Sequence, residues 1–162
     1  PNIQQSIIEV NEDVIEAAYR FFNFPVDNRI QVINADASKH VTVMTEKFDL
    51  IFLDAFKDFG APKELKGIEF LRSLDSCLSS KGLAVGNYWT LTGDFKEYCK
   101  MWESTFASVH NARVNKKGNE ILIGSQISKI KEEKRIQQIS KILEIRHLIE
   151  FPKMNINLKK LY

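Results

Sequence analysis

The segment Phe48-Asp49-Leu50-Ile51-Phe52-Leu53-Asp54 decides how this chain folds. Its first six residues include five apolar ones, and an acid follows before a stretch that contains Gly60, Pro62 and Gly67. A short apolar run without strict alternation is typical of a strand that is buried on both faces, as in the middle of a parallel sheet. The segment therefore predicts an interior parallel strand that ends at Asp54.

Strand and helix patterns alternate on both sides of this segment. The helical stretches carry apolar residues three and four positions apart, as at Val14, Ala17, Ala18 and Phe21, and residues 79–82 read as a helix stop with glycine just past the end. Such alternation predicts an α/β fold with a mostly parallel sheet, helices on both faces and a closing antiparallel hairpin. The predicted strands cover 6–10, 29–34, 48–53, 83–88, 108–114 and 120–126, and the predicted helices lie between 11 and 23 and over 37–44, 68–78, 94–106 and 129–148.

Composition narrows the class of protein. The 162 residues are 44% apolar and 27% charged, which suits one globular domain with a real core. Cys77 and Cys99 lie 22 positions apart, fit no metal-ligand spacing, and are expected to be reduced thiols of a cytoplasmic protein. The longest apolar runs are about six residues, far below the roughly 20 that cross a bilayer, so we expect no membrane partner.

Charge is uneven along the chain. Residues 129–162 hold nine Lys or Arg and four Asp or Glu, which makes a basic C-terminal helix and tail. No basic motif interleaved with aromatic residues accompanies it, so no nucleic-acid partner is expected. His40, His110 and His147 are far apart and show no ligand spacing, and we expect no metal site.

Three acids stand where three successive predicted strands end. Glu9 closes the first strand, Asp36 follows the second and Asp54 follows the third. Because carboxyl ends of parallel strands share one edge of a sheet, these acids are expected to line one cleft and to accept hydrogen bonds from hydroxyl or amine donors. Taken singly, Glu9 could be a solvated strand-end charge, Asp36 a helix N-cap and Asp54 a turn residue.

Several short segments, taken together in their order and spacing, carry a family resemblance. Over nearly all of residues 1–150 the chain resembles the spermidine synthase family, which comprises polyamine aminopropyltransferases and their relatives on the Rossmann-like class I methyltransferase fold. The segments that carry the resemblance are 7–11, 14–15, 24–25, 27–29, 35–37, 48–56, 69–71, Leu78, 81–82, Asn87 and 118–119.

The resemblance implies roles for four residues. Glu9 resembles the acid that holds the ribose hydroxyls of an S-adenosyl ligand, and Asp36 the acid that reads the adenine amino group, with Ala37 beside it. Asp54 resembles the catalytic acid that accepts a proton from the attacking amine. The implied reaction transfers an aminopropyl group from decarboxylated S-adenosylmethionine, a co-substrate rather than a tightly bound cofactor, to an amine. The resemblance also implies a homodimer.

Two features depart from the family pattern. Lys57 stands where a second acid usually follows the catalytic one, and Asp58 comes one position later, which leaves the acceptor amine open. No glycine precedes Gly60, whereas in this fold a first, central strand and a glycine-rich loop come before the ribose acid. We therefore expect residues 1–128 to form a partial S-adenosyl-ligand-binding domain without that strand and loop. We expect 129–162 to be the helix and tail of the same domain, and residues 1–162 alone to be inactive.

Two other functions remain open at this point. A class I methyltransferase that uses S-adenosylmethionine on another substrate would employ Glu9 and Asp36 equally well, and Lys57 mildly favours it. A non-catalytic relative or fragment that acts as a dimerisation module would fit the missing glycine-rich loop, since a bare internal strand edge invites pairing.

Overall fold

The computed structural model describes residues 3–55, 65, 67–89, 93, 95–114, 118–127, 133–147 and 158–161. They fall into two compact units, Pro1–Thr45 (unit 1) and Glu46–Tyr162 (unit 2), a division that no composition shift in the sequence signals. In chain order the elements are β1 (Gln5–Glu9), α1 (Glu12–Phe21), β2 (Ile30–Asn34), α2 (Ala37–Val43), β3 (Phe48–Leu53), α3 (Ile68–Ser76), β4 (Leu78–Trp89), α4 (Phe95–Thr105), β5 (Ser108–Val114), β6 (Asn119–Ser125), α5 (Glu133–His147) and β7 (Leu158–Leu161).

Unit 1 is a strand–helix–strand unit with a further short helix. Strands β1 and β2 pair in parallel, with Ile7 opposite Val32. Helix α1 begins where the Asn11 side chain accepts a hydrogen bond from the backbone N–H of Asp13 (2.9 Å), an N-cap that satisfies one otherwise unpaired donor. The chain leaves this helix through Asn23, whose φ of 51° is one that asparagine tolerates better than most residues. The predicted elements of this part of the chain are confirmed to within one or two residues.

Unit 2 is built on a five-stranded sheet of order β3-β4-β6-β5-β7. Strands β3 and β4 are parallel, and the remaining neighbours are antiparallel, including the predicted β5–β6 hairpin. Strand β3 has the predicted bounds, and it is the outermost of the strands that the structure describes in this sheet. The side chains of Leu50 and Phe52, which share one face of β3, are 46% and 69% exposed. None of the described helices has the length and apolar character needed to cross a membrane.

Strand β4 begins earlier than the sequence predicts, and the predicted glycine cap of the preceding helix is wrong. Helix α3 ends at Ser76, and Cys77 follows in a right-handed helical conformation. Phe48 then pairs with Leu78, whereas Leu50 pairs with Leu83, so the intervening residues of β4 bulge out of the ladder. A Cβ on Gly82 would lie 2.8 Å from the carbonyl oxygen of Phe48. Glycine is needed there for the close approach of β3.

The end of the chain also differs from the prediction. Residues 149–162 read as a polar tail, yet Leu158–Leu161 form strand β7, antiparallel to β5 with Val109 opposite Leu161. A four-residue strand rich in lysine is typical of a sheet edge, where charge discourages further pairing. Such a strand carries too few apolar residues for a periodic pattern to reveal it.

The core of unit 2 depends on two aromatic side chains, one in α4 and one just after it, that lie against glycines of the sheet. Trp102 is fully buried and Phe106 is 4% exposed. A Cβ on Gly86 would lie 2.8 Å from Trp102 Cζ2, and one on Gly124 would lie 2.5 Å from Phe106 Cδ2. The two aromatic rings are themselves 5.0 Å apart between centroids. These glycines therefore leave the space that the two aromatic rings occupy.

Replacing Gly124 with alanine should destabilise the protein by about 1–3 kcal/mol, because the new methyl group overlaps the Phe106 ring and the packed core cannot move aside freely. Urea denaturation followed by circular dichroism measures this loss. Gly67→Ala is the matched control: a Cβ at Gly67 meets nothing within 4 Å, and the change in stability should stay within about 0.5 kcal/mol. Equal stability of the two variants would contradict the packing account.

Candidate functional site

In unit 1, the carboxyl ends of β1 and β2 are tied together by the chain that follows β2. The side-chain amide of Asn34 donates to the carbonyl oxygens of Glu9 (3.0 Å) and Val10 (3.1 Å). The backbone N–H of Ala35 also donates to the Glu9 carbonyl (3.1 Å). These bonds hold the segment that carries Asp36 beside the end of β1.

The carboxylate of Glu9 is oriented by the chain that follows it. Its Oε1 accepts a hydrogen bond from the backbone N–H of Asn11 (2.8 Å), the residue that caps α1. Glu9 is half-buried, and among the residues that the structure describes none donates to its Oε2. One oxygen is thus held by the backbone, while the other keeps its full capacity to accept hydrogen bonds from a ligand.

Asp36 is the N-cap of α2. Of the two interpretations of Asp36 in the sequence, a helix cap and a ligand-binding acid, the helix cap is confirmed. Its Oδ1 accepts from the backbone N–H of Ser38 (2.9 Å) and from the Ser38 hydroxyl (2.7 Å). Both bonds from Ser38 fall on Oδ1, one of the two oxygens of the carboxylate. Ala37 is the first residue of α2, and no acceptor for its N–H occurs among the described residues.

In unit 2, Asp54 follows β3 directly and is exposed. Leu53 pairs with Gly86 of the parallel strand β4, which brings the next pair, Asp54 and Asn87, together. The amide nitrogen of Asn87 donates to Oδ1 of Asp54 (3.0 Å), and the amide nitrogen of Asn119 donates to Oδ1 of Asn87 (3.0 Å). A row of one carboxylate and two amides therefore crosses the end of β3, the end of β4 and the start of β6.

The two aromatic residues that end β4 take different positions. Tyr88 is 3% exposed, and its hydroxyl accepts a hydrogen bond from Trp102 Nε1 (2.8 Å). Burial raises the pKa of Tyr88 well above its usual value, so the phenol stays neutral and packs as part of the core. Trp89 is 38% exposed and, by strand alternation, lies on the same face of the sheet as Asn87.

The structure brings some of the predicted site residues together. Glu9 and Asp36 lie at the ends of two paired strands of unit 1, and Asp54 lies in unit 2. The single cleft expected for all three acids stays a prediction. Lys57 and Asp58 lie outside the described residues.

The sequence analysis assigns no role to three amides that hold the acids. Asn34 ties β1 to the segment after β2, and Asn87 and Asn119 form the row at Asp54. Asn87 and Asn119 fall in segments that carry the family resemblance, and each of the three amides lies at or near a strand end, where a polar residue next to an apolar run is a local signal. That signal alone does not identify which side chain the amide binds.

Other titratable groups do not form a second centre in the described part of the chain. No cluster of three or more His, Cys, Asp or Glu side chains suited to a metal ion occurs among the described residues. Burial, followed by the negative charges of Glu103 and Glu120, raises the pKa of the Cys99 thiol to about 11. Cys99 is therefore a protonated, weakly nucleophilic thiol at neutral pH.

Alkylation of Cys99 by iodoacetamide at pH 8 should be slower than that of a free cysteine by on the order of 100-fold, because a raised pKa reduces the thiolate fraction at any lower pH. The rate should rise as the pH approaches 11. Peptide mass spectrometry separates this site from Cys77, and Glu103→Gln, which removes one of the charges, should speed the reaction. A rate at pH 8 equal to that of free cysteine would contradict this assignment.

Solved structures of similar fold identify the architecture. A probable spermidine synthase from Corynebacterium glutamicum has a TM-score of 0.73 at 20% identity, covering 87% of this chain and 54% of that one. Human methyltransferase-like protein 13 in complex with SAH has a TM-score of 0.71 at 18% identity, covering 97% of this chain and 72% of that one. At such identities the likeness shows the fold, and the predicted Rossmann-like, methyltransferase-type α/β fold is confirmed.

Sequence comparison defines the family. Residues 2–115, more than half of the chain, match the spermine/spermidine synthase domain, and the chain belongs to that family. A polyamine aminopropyltransferase from Vibrio vulnificus is 26% identical over 146 residues, which are 88% of this chain and 49% of the relative. The chain thus spans about half the length of that relative. The family resemblance found in the sequence is confirmed.

Proposed function

We propose that the protein containing this chain transfers an aminopropyl group from decarboxylated S-adenosylmethionine to an amine. The observation that carries this proposal is the carboxylate of Asp54, exposed at the carboxyl end of β3 and anchored through one oxygen by Asn87. Membership of the spermine/spermidine synthase family supports it, as does the similarity to polyamine aminopropyltransferases.

Asp54 supplies the chemistry that an amine acceptor requires. A protonated amine has no lone pair, so it attacks carbon only after it loses a proton. Among the described residues none donates to Oδ2 of Asp54, which leaves this oxygen to accept a hydrogen bond, and then a proton, from the amine. The sulfonium of the co-substrate supplies the carbon that is attacked and the leaving group.

Glu9, Asp36 and Ala37 are proposed to hold the S-adenosyl ligand. Oε2 of Glu9 would accept from the ribose hydroxyls, because Oε1 is already held by the backbone of Asn11. The carboxylate of Asp36 would accept from the adenine amino group, and the N–H of Ala37, at the start of α2, would donate to a ring nitrogen. The two acids are suited to one nucleoside because hydrogen bonds from Asn34 and Ala35 hold their strand ends together.

We also propose a cytoplasmic homodimer. Cys77 and Cys99 form no disulfide in the described part of the chain, as expected in a reducing compartment. The dimer follows the family resemblance, and the β3 edge with its exposed Leu50 and Phe52 offers a surface that an additional strand or subunit could cover.

Changing Asp54 to asparagine should lower kcat by roughly 100-fold or more, because an amide cannot take the proton of the amine. The assay follows release of methylthioadenosine from decarboxylated S-adenosylmethionine with putrescine and other amines, using the protein at its natural length. Asp49→Asn is the matched control: Asp49 lies on the same strand, but its carboxylate accepts from the hydroxyl of Ser79 (2.7 Å), and turnover should be retained.

Unchanged turnover in Asp54→Asn would remove Asp54 from its assigned role. A parallel assay with ordinary S-adenosylmethionine separates the two enzyme classes. Methyl transfer without aminopropyl transfer would replace the proposed reaction by that of a methyltransferase.

Changing Glu9 to glutamine should weaken binding of methylthioadenosine by about tenfold or more, because hydrogen bonds to a charged group are stronger than those to an amide. Isothermal titration calorimetry on the protein at its natural length measures this affinity. Glu12→Gln, an exposed acid in the first turn of α1, is the control and should leave the affinity unchanged. Equal affinities of the two variants would show that Glu9 does not contact the nucleoside.

A further inference from the structure

Three polar side chains lie in a row across three neighbouring strands of unit 2. Asp54 follows β3, Asn87 belongs to β4, and Asn119 begins β6 opposite Trp89. Strand alternation separates these residues from the core, because the positions beside them, Tyr88 and Glu120, point to the opposite face and are 3% and 4% exposed. The row therefore belongs to the open face of the sheet.

The direction of the hydrogen bonds along the row follows from the chemistry of the Asp54 carboxylate. An ionised carboxylate only accepts hydrogen bonds, so Asn87 must present its amide nitrogen to Asp54. This leaves the carbonyl oxygen of Asn87 to face Asn119, whose amide nitrogen donates to it at 3.0 Å. If the Asn87 amide turned by 180°, its oxygen would face a carboxylate and its nitrogen would face another donor, and both contacts would be repulsive.

We propose that Asn87 is a positioning residue that fixes the orientation of the Asp54 carboxylate, and that Asn119 fixes the orientation of Asn87. This inference rests on the proposed function of Asp54. It concerns residues that touch neither reacting group: the amides act only through the carboxylate.

The position of Asp54 explains why its carboxylate needs the hydrogen bond from Asn87. The residue stands just outside the strand ladder and is exposed, so its side chain would otherwise exchange between rotamers. With Oδ1 bound to Asn87, the plane of the carboxylate is restricted and Oδ2 is presented in one direction. A base that is held in place removes a proton faster, because less conformational freedom is lost when the amine reacts.

Kinetics of single variants test the positioning role. Asn87→Ala should lower kcat by about 10- to 100-fold and change the KM for the amine by less than about threefold, since a misplaced base slows proton removal more than binding. Asn87→Asp, of equal size but without the donor, should lose at least as much. Asn119→Ala should lose less, and Asn87→Ala combined with Asn119→Ala should be no worse than Asn87→Ala alone, because Asn119 acts through Asn87.

A matched amide elsewhere in the sheet separates positioning from simple structural support. Asn111 donates to the buried carboxylate of Glu120 (2.7 Å), an amide–carboxylate pair like that of Asn87 and Asp54, but on the core face. Asn111→Ala should lower thermal stability while leaving kcat per folded molecule unchanged. Loss of kcat in Asn111→Ala equal to that in Asn87→Ala would overturn the positioning role.

NMR spectroscopy tests the positioning role without an activity assay. The side-chain amide signals of Asn87 in ¹⁵N-labelled protein should shift in Asp54→Ala and in Asn119→Ala, and should keep their positions in Asp49→Ala. Unchanged Asn87 signals in Asp54→Ala would overturn the inference outright.

The outcomes separate this inference from the proposed function. If Asp54→Asn abolishes turnover and Asn87→Ala leaves kcat intact, the positioning role fails and the role of Asp54 stands. If Asp54→Asn is as active as the wild type, or the wild type has no aminopropyl transfer, the proposed function fails. In that case the NMR signals of the Asn87 amide alone decide whether Asn119 and Asn87 hold the carboxylate of Asp54. Shifts that occur in Asp54→Ala and Asn119→Ala, and not in Asp49→Ala, support these hydrogen bonds.

Discussion

The packing of Trp102 in α4, and of Phe106 just after it, onto Gly86 and Gly124 is the constraint on which the rest of unit 2 depends. Each ring occupies the volume that a Cβ would take, so helix and sheet approach more closely than side chains at these positions would allow. Tyr88 completes the arrangement through its hydrogen bond with Trp102. One face of β4 and β6 is thereby committed entirely to the core.

The same two strands supply the candidate site from their other face. Along β4 the buried positions alternate with Leu83, Val85 and Asn87, and along β6 Asn119 precedes the buried Glu120. Because successive side chains of a strand point to opposite faces, core packing on one side sets the register that aligns the amide row on the other. Stability and chemistry in unit 2 are therefore linked through strand register rather than through direct contact.

The sequence predicted most strongly those features that depend on neighbouring residues. The bounds of β3, the positions of α1 and α4, the β5–β6 hairpin and the cap at Asp36 follow from local periodicity and local hydrogen bonding. The bulge after Leu78, strand β7 and the partners of Asn87 depend on residues that are distant in sequence, which a single sequence does not reveal. The family resemblance identified the acids, and the geometry showed what holds them.

The apolar composition of β3 has a consequence for the physical behaviour of this segment. Five of the six residues in Phe48–Leu53 are apolar, and Leu50 and Phe52 are largely uncovered in the described structure. A short apolar segment of low charge can stack with identical copies into a steric zipper, and natural sequences usually interrupt such a segment with a charged gatekeeper. The single charge, Asp49, stands near the start of the strand and is engaged by Ser79. Association of this segment with copies of itself thus depends on what covers β3 in the protein at its natural length, and not on how tightly the core of unit 2 is packed.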